Sequence, residues 1–169
     1  MISEIPNPNS LGKLSGGQNV IDRPRSHIDE QVKALLPETL LQVSVTAEDQ
    51  FVERTVTHDH VVGQSKVVTI QPGNIIFYAQ RPRRDGLSKF VAQREPEDTT
   101  SVTVVLKKTD EQDTYVLITA YIGEKAGLEP WDRRATDQDM EYWRAHAFVE
   151  GATEYLPETR TVEPPEYFN

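Results

Sequence analysis

Two histidines two residues apart are the first side chains in this sequence that could do acid-base chemistry. His58 and His60 lie in the segment VTHDHVVG. Because alternate side chains of an extended chain point to the same side, both imidazoles would share one face, with Asp59 on the other. An imidazole with its ordinary pKa of about 6.5 exchanges protons near neutral pH, which suits metal-free hydrolysis or transesterification. A structural role for both histidines is the alternative.

A histidine pair could also share a metal ion, but the sequence offers no complete ligand set. Structural zinc usually takes four ligands, and no further histidine or acidic residue stands at a recognisable ligand spacing from His58 and His60. The chain has no cysteine. Gly-rich phosphate loops and dinucleotide fingerprints are missing as well. We therefore predict neither a metal nor a cofactor.

A further histidine stands at the start of the first predicted helix. His27 lies within the capping-box pattern SHID, in which Ser26 would accept hydrogen bonds from the first-turn amides. The partial positive charge of a helix N-terminus would lower the pKa of His27 and keep the ring neutral, a state suited to a base. A solvated or structural histidine is the alternative here too.

The segment YVLITAYIGE carries two hydroxyl groups within an otherwise apolar strand pattern. In an extended chain Thr119 and Tyr121 share one face, together with Tyr115 and Leu117. The opposite face would hold aliphatic core residues, which are Val116, Ile118, Ala120 and Ile122. The two hydroxyls are either strand formers or part of a reaction site.

Three cations could hold a phosphate group. Arg81 and Arg83 flank Pro82 just before an Asp-Gly turn, and Lys89 follows in the next segment. Guanidinium groups bind phosphate through paired hydrogen bonds. Residues 74–94 contain five cations and one anion, but the whole chain has a net charge of -9, which disfavours sequence-independent binding of nucleic acid. Solubility of a hairpin tip is the alternative role for these cations.

The elements that must position these residues begin with an arm and helices. Residues 1–25 are rich in Asn, Pro, Gly and Ser and predict a flexible arm. A helix should begin at Ser26 and end near Pro37. The segment from Leu40 to Phe51 fits either a buried helix or a strand.

From residue 55 the pattern changes to extended segments. Four of these predict strands separated by turn signals such as Asp-Gly in RPRRDGLS and the polar TDEQD. The four are NIIFYAQ, KFVAQR, TTSVTVVLKK and TYVLITAYIG. Thr136 should cap a final helix, DQDMEYWRAHAFVE, which Gly151 would stop.

Together these patterns predict a single α+β domain over residues 26–152. Its N-terminal helices would pack on one face of a four-stranded antiparallel β-meander, and a C-terminal helix would follow. Residues 153–169 predict an irregular acidic tail. The second face of the sheet would stay open to a ligand.

This arrangement resembles the metal-independent ribonuclease superfamily that includes barnase, EndoU-type and RelE-type toxins. The likeness runs from Ser26 to Gly123, and its most specific piece is LITAYIG. The resemblance implies an active centre of two hydroxyl residues, two histidines and a cation. These would be Thr119 and Tyr121, His60 or His58 with His27, and Arg81 or Lys89.

Two functions therefore compete. The resemblance implies metal-independent cleavage of RNA, in which a base, an acid and a cation act on the phosphate. The rival is a non-catalytic binding domain whose open sheet face receives a protein, a peptide or a small ligand. No segment predicts a secretory signal or a membrane span, so we expect a cytoplasmic protein.

Overall fold

A computed structural model describes residues 10–23 and 28–168 of the chain. Within these ranges the chain forms two α-helices and eleven β-strands. In chain order they are β1 Ser10–Lys13, β2 Asn19–Asp22, α1 Glu30–Leu40, β3 Phe51–Thr57, β4 Gly63–Ser65, β5 Val67–Thr69, β6 Ile75–Gln80, β7 Leu87–Ala92, β8 Glu97–Thr99, β9 Ser101–Lys108, β10 Thr114–Ile122, α2 Asp137–Ala145 and β11 His146–Val149. The described residues divide into two compact units. Unit 1 comprises the described residues within Met1–Gly63 and Thr99–Lys125. Unit 2 comprises those within Gln64–Asp98 and Ala126–Asn169.

Unit 1 is a sheet with one helix packed on it. Sheet A has the strand order β1-β2-β10-β9-β3. Its neighbours are antiparallel except β2 and β10, which are parallel. Helix α1 begins after Asp29, whose carboxylate accepts a hydrogen bond from the amide of Gln31 at 2.8 Å and so caps the helix. The helix buries an apolar stripe against the sheet, formed by Val32, Leu36 and Leu40.

An irregularity in β10 decides which of its side chains face the core. Between Leu117 and Thr119 the register against β9 shifts, so that one extra residue stands on β10. Leu117 before the shift and Ala120 after it are both buried in the core that contains α1. The alternation of faces therefore changes from odd to even positions along the strand. As a result, Thr119 and Tyr121 lie on the face of sheet A that points away from α1.

Unit 2 is built around a second mixed sheet. Sheet B has the strand order β5-β11-β7-β6, with β11 and β7 parallel and the other neighbours antiparallel. Helix α2 starts with a capping box, in which the side chains of Thr136 and Asp139 each accept a hydrogen bond from the backbone amide of the other residue. It leads directly into β11. An aromatic cluster fills the interior, and its buried rings are Phe77, Phe90, Trp143 and Phe148.

The C-terminal segment of unit 2 pairs with the outer edge of sheet B. Tyr78 of β6 exchanges two backbone hydrogen bonds with Thr161, at 2.7 and 2.8 Å. The amide of Leu156 donates to the carbonyl of Gln80 at 2.8 Å. The guanidinium of Arg160 lies 3.9 Å from the ring centre of Phe77. The segment is therefore fixed along β6 and satisfies backbone groups that an edge strand leaves unpaired.

The predicted fold class is wrong. The four strands assigned to one meander form two separate hairpins, β6 with β7 in sheet B and β9 with β10 in sheet A. The chain is dominated by strands in several sheets, and no pair of N-terminal helices covers a meander in the described residues. Each hairpin is extended by a parallel strand from a distant segment, β11 or β2. Parallel strands are not joined by a tight turn, so the sequence contains no local signal that predicts their pairing.

The N-terminal segment differs from the predicted arm. Within residues 1–25, the described part contains the hairpin β1-β2, in which Val20 is completely buried. Pairing with β10 orders this segment although its composition favours loops, because tertiary contacts override weak local propensity. The predicted helix start at Ser26 lies outside the described residues.

Three helical boundaries also differ from the prediction. Helix α1 continues through Pro37, which the sequence assigned as its end. The segment between Leu40 and Phe51 is a loop rather than a helix or strand, and β3 starts at Phe51. The last helix ends at Ala145, because the following residues pair with β5 and β7 as β11. The Thr136 cap and the strands of both hairpins are confirmed.

Candidate binding groove in unit 2

His58 is a buried histidine whose two ring nitrogens hold α1 to the end of β3. The hydroxyl of Thr39 donates its only proton to the carbonyl of Leu35 at 2.8 Å. The same oxygen must therefore accept from Nε2 of His58, 2.9 Å away. This assignment leaves Nδ1 to accept from the side-chain amide of Gln42 at 3.5 Å. The arrangement explains His58 as a structural residue.

His60 is exposed and forms a surface pair with its neighbour. Its Nδ1 lies 2.8 Å from the carboxylate of Asp59, and half of its side chain is accessible. The hydrogen bond with Asp59 raises the pKa of His60, and the same bond lowers the pKa of Asp59. The expectation that Asp59 points away from the histidines is wrong, because residues 58–62 are irregular, with bends at Asp59 and His60, rather than a strand. His27 lies outside the described residues.

The structure does not bring the predicted catalytic residues together. His58 contacts Thr39 of α1 and so lies on the side of sheet A that the helix covers. The ring of His60 is 5.6 Å from that of His58. Thr119 and Tyr121 lie on the opposite face of the sheet, as the shift in β10 dictates. The sheet itself separates the hydroxyls from the buried histidine.

The face of sheet A that was predicted to stay open is partly occupied by the segment that follows β10. After β10 the chain turns at Gly123, whose φ of 111° falls in the region that glycine tolerates. The buried hydroxyl of Thr103 donates to the Gly123 carbonyl at 2.8 Å and accepts from Thr55 at 2.9 Å. Lys125 then reaches Glu53 on the edge strand, with 3.7 Å between the charged groups. The segment after β10 therefore lies against this face beside Thr103 and Glu53.

Arg81 and Arg83, two of the predicted phosphate ligands, have different positions in the hairpin β6-β7. Arg81 pairs with Glu129, with 2.7 Å between Nη2 and the carboxylate, and its Nε donates to Ser88. Ser88 in turn donates a short hydrogen bond to the other oxygen of Glu129. Arg83 is exposed in the tight turn with a φ of 63°. The guanidinium of Arg81 therefore serves an internal ion pair.

Lys89 is the predicted cation that the structure places beside a cavity. Only 9% of the residue is exposed. Its amine donates to the carbonyls of Trp143 and Arg144, at 2.8 and 3.2 Å. These carbonyls lie in the last turn of α2, where no further helical amide follows to bind them. Burial lowers the pKa of Lys89 below the ordinary lysine value. An ammonium group has three donors, so one N–H remains to donate to a ligand.

The cavity is a groove of about 560 Å³, and we call it the α2 groove. One wall is a single face of α2, because residues spaced three, four and seven apart lie above one another on a helix. These residues are Asp137, Met140, Glu141 and Arg144. Glu141 and Arg144 form an exposed ion pair at 2.6 Å.

The second wall of the α2 groove comes from the end of the chain and from the loop before α2. Tyr167, Phe168 and Pro130 line it, and Lys89 completes the lining. The phenol oxygen of Tyr167 accepts from the amide of Leu87 at 2.7 Å, which fixes the ring in place. Burial raises the pKa of Tyr167. This wall is therefore held by the same segment that pairs with β6.

Of this lining, the sequence singled out only Lys89, as a phosphate ligand. The face of α2 could have been recognised, because the helix after Thr136 was predicted and its polar residues recur at helical spacing. Tyr167 and Phe168 gave no such signal. They reach the groove only because residues far apart in the sequence pair at β6.

A comparison of the chain with known protein families, curated proteins and solved structures finds no match. Among the described residues, no group of three or more histidine, cysteine, aspartate or glutamate side chains could hold a metal ion. No helix in the same ranges has the length and apolar content needed to cross a membrane.

Proposed function

We propose that the protein is a non-catalytic binding protein whose ligand occupies the α2 groove. The observation that carries this proposal is Lys89, a lysine of which only 9% is exposed, in the lining of a cavity of about 560 Å³. Burying a charge is costly unless polar groups compensate for it. Ligand pockets commonly measure about 300–1,000 Å³ and combine apolar surface with a few placed polar groups.

RNA cleavage by the predicted residues has less support. It needs an acid, a base and a cation around one phosphate. His58 is committed to Thr39 and Gln42, while Thr119 and Tyr121 lie on the other face of sheet A. Binding on that face is also less favoured, because the segment from Gly123 to Lys125 lies against it.

The proposal is tested by titrating the ¹⁵N-labelled full chain with free amino acids, short peptides, nucleotides and inorganic phosphate. We expect one of these classes to shift the amide signals of the groove residues in a saturable way. Arg144→Gln should weaken that binding about tenfold, as expected for the loss of one charged hydrogen bond. Arg133→Gln changes an exposed arginine of unit 2 that does not line the groove, and it should have no effect.

If no class of probe shifts the groove signals, the proposed function is wrong. A parallel incubation with mixed-sequence RNA in EDTA tests the rival. Products ending in 2′,3′-cyclic phosphate that disappear with both His60→Ala and Thr119→Ala would support the ribonuclease prediction instead.

A further inference from the structure

We propose that the ligand of the α2 groove is a short peptide of about three residues with free N- and C-termini. This inference rests on the proposed function and names its ligand class. The C-terminal carboxylate would accept hydrogen bonds from Lys89 and Arg144. The N-terminal ammonium would lie at Asp137, at the other end of the same helix face.

The charges of the lining favour a ligand that carries both signs. Two cations, Lys89 and Arg144, and two anions, Asp137 and Glu141, line the groove, so its formal charge cancels. A phosphate dianion would meet the two carboxylates as well as the cations, and like charges disfavour it. Because Glu141 and Arg144 already form an ion pair, the positive Lys89 and the negative Asp137 remain for a ligand with one negative and one positive end. Arg144 keeps N–H donors beyond that pair.

The positions of the charges along α2 set the length of the ligand. Asp137 and Arg144 are seven residues apart, which corresponds to about 10 Å along the helix axis. The amine of Lys89 lies at the Arg144 end, because it donates to the carbonyls of Trp143 and Arg144. An extended chain spans about 3.3–3.6 Å per residue. Three residues therefore match the separation of the two poles.

The middle of the groove fits an apolar side chain. Met140 lies between Asp137 and Arg144 on the helix face, and Phe168 and Pro130 belong to the lining as well. A flexible thioether adapts to side chains of different shapes. The groove should therefore accept several apolar residues at the central position of a peptide.

The helix dipole opposes this orientation but is the weaker effect. A helix end carries about half a unit of charge, positive at the N-terminus, where the ligand ammonium would lie. Asp137 and Asp139 in the first turn contribute full negative charges there. Lys89 contributes a full positive charge at the other end. Full side-chain charges outweigh the half charges of the helix ends.

The test uses the tripeptide Gly-Leu-Gly and two matched derivatives, one N-acetylated and one C-amidated. Isothermal titration and amide shifts of the full chain would report affinity and position. We expect the free tripeptide to bind in the groove, and each derivative to bind about tenfold more weakly, because each lacks one charged contact. Inorganic phosphate should not compete.

Two variants test which residue binds each charged end of the peptide. Asp137→Asn should weaken the free tripeptide about tenfold yet leave the affinity of the N-acetylated peptide unchanged, since that peptide has no ammonium to lose. Arg144→Gln should do the same for the C-amidated peptide. Arg133→Gln is the control and should alter none of the three affinities.

The outcomes separate this inference from the proposed function. If the capped and free peptides bind in the groove equally, or if phosphate binds there more tightly, the ligand class is wrong and the binding site stands. If neither the tripeptides nor any probe class shifts the groove signals, both proposals are wrong.

Discussion

His58 in unit 1 and Lys89 in unit 2 are both buried basic residues that the sequence marks for chemistry, yet their surroundings differ. His58 has an intramolecular partner for each ring nitrogen, Thr39 and Gln42. Lys89 has two partners for three donors, and it lines a cavity. Burial of an ionisable group is therefore not a sign of function by itself. The remaining hydrogen-bonding capacity next to open space is the more useful sign.

The two interiors differ in the same way. The hydrophobic cluster of unit 1 is aliphatic apart from Tyr115, and the polar residues buried in this unit are, apart from His58, serines and threonines. Helix α1 lies against one face of sheet A. Unit 2 buries an aromatic cluster together with the ion pair of Arg81 and Glu129 and the amine of Lys89. A polar interior depends on complete pairing, since a single lost partner leaves a charge uncompensated. We therefore expect the stability of unit 2 to fall more than that of unit 1 when a buried polar residue is replaced.

The largest effect should come from Glu129→Ala. This change leaves Arg81 and Ser88 without their shared partner and should lower the unfolding free energy of unit 2 by about 3 kcal/mol. Both tryptophans, Trp131 and Trp143, belong to unit 2, so tryptophan fluorescence during urea unfolding reports this unit. Glu141→Ala removes an arginine-paired carboxylate that is exposed, and it should cost less than about 1 kcal/mol. Equal losses in the two variants would contradict the comparison.

A smaller effect is expected for Thr39→Val in unit 1. The valine keeps the shape but leaves Nε2 of His58 without its acceptor, at a cost of about 1–2 kcal/mol. Hydrogen exchange of the slowest amides in α1 measures this loss. Thr57→Val is the matched control, because Thr57 is exposed and valine is at least as favourable in a strand. Unchanged exchange in Thr39→Val would contradict the structural role of His58.

The smallest effect is a pH dependence from Lys89. Burial lowers its pKa in the folded protein, so the unfolded chain binds more protons between that value and about 10.4. The stability that Lys89 contributes is then complete above about pH 10.4 and is lost as the pH falls through the lowered folded value. The wild type should therefore gain stability relative to Lys89→Met as the pH rises through this window.

Urea unfolding of both proteins, followed by tryptophan fluorescence at several pH values, measures the difference. Lys66→Met, which changes an exposed lysine of the same unit, should show no such trend. A constant difference between wild type and Lys89→Met would mean that Lys89 is solvated as a surface lysine is.

Local patterns in the sequence were sufficient to predict individual hairpins and the start of a helix. The Asp-Gly turn before Leu87 and the β-branched run of β9 predicted their hairpins, and Thr136 predicted the start of α2. Pairing between distant segments could not be read in this way. Val20 of β2 is completely buried beside β10, although its surroundings in the sequence are typical of a loop.

For the candidate site too, the local pattern predicted some positions and the long-range structure determined the others. An extended chain predicts Thr119 and Tyr121 on the face opposite Ala120, which is where the structure has them. It also predicts Leu117 on that face, whereas the irregularity in β10 returns Leu117 to the core. No residue type in the sequence marks that irregularity. The α2 groove needs Tyr167 and Phe168 from the chain end, so only the tertiary structure could reveal it.

The C-terminal segment has a practical consequence for handling this protein. Its pairing with Tyr78 and Gln80 protects β6 from other extended chains. A truncation before Tyr155 would expose that edge and remove one wall of the α2 groove at the same time. Copies shortened in this way could add to one another strand by strand, so insoluble material from such a clone would reflect an unprotected edge as well as the loss of Tyr155 from its packing on Phe77 and Phe90.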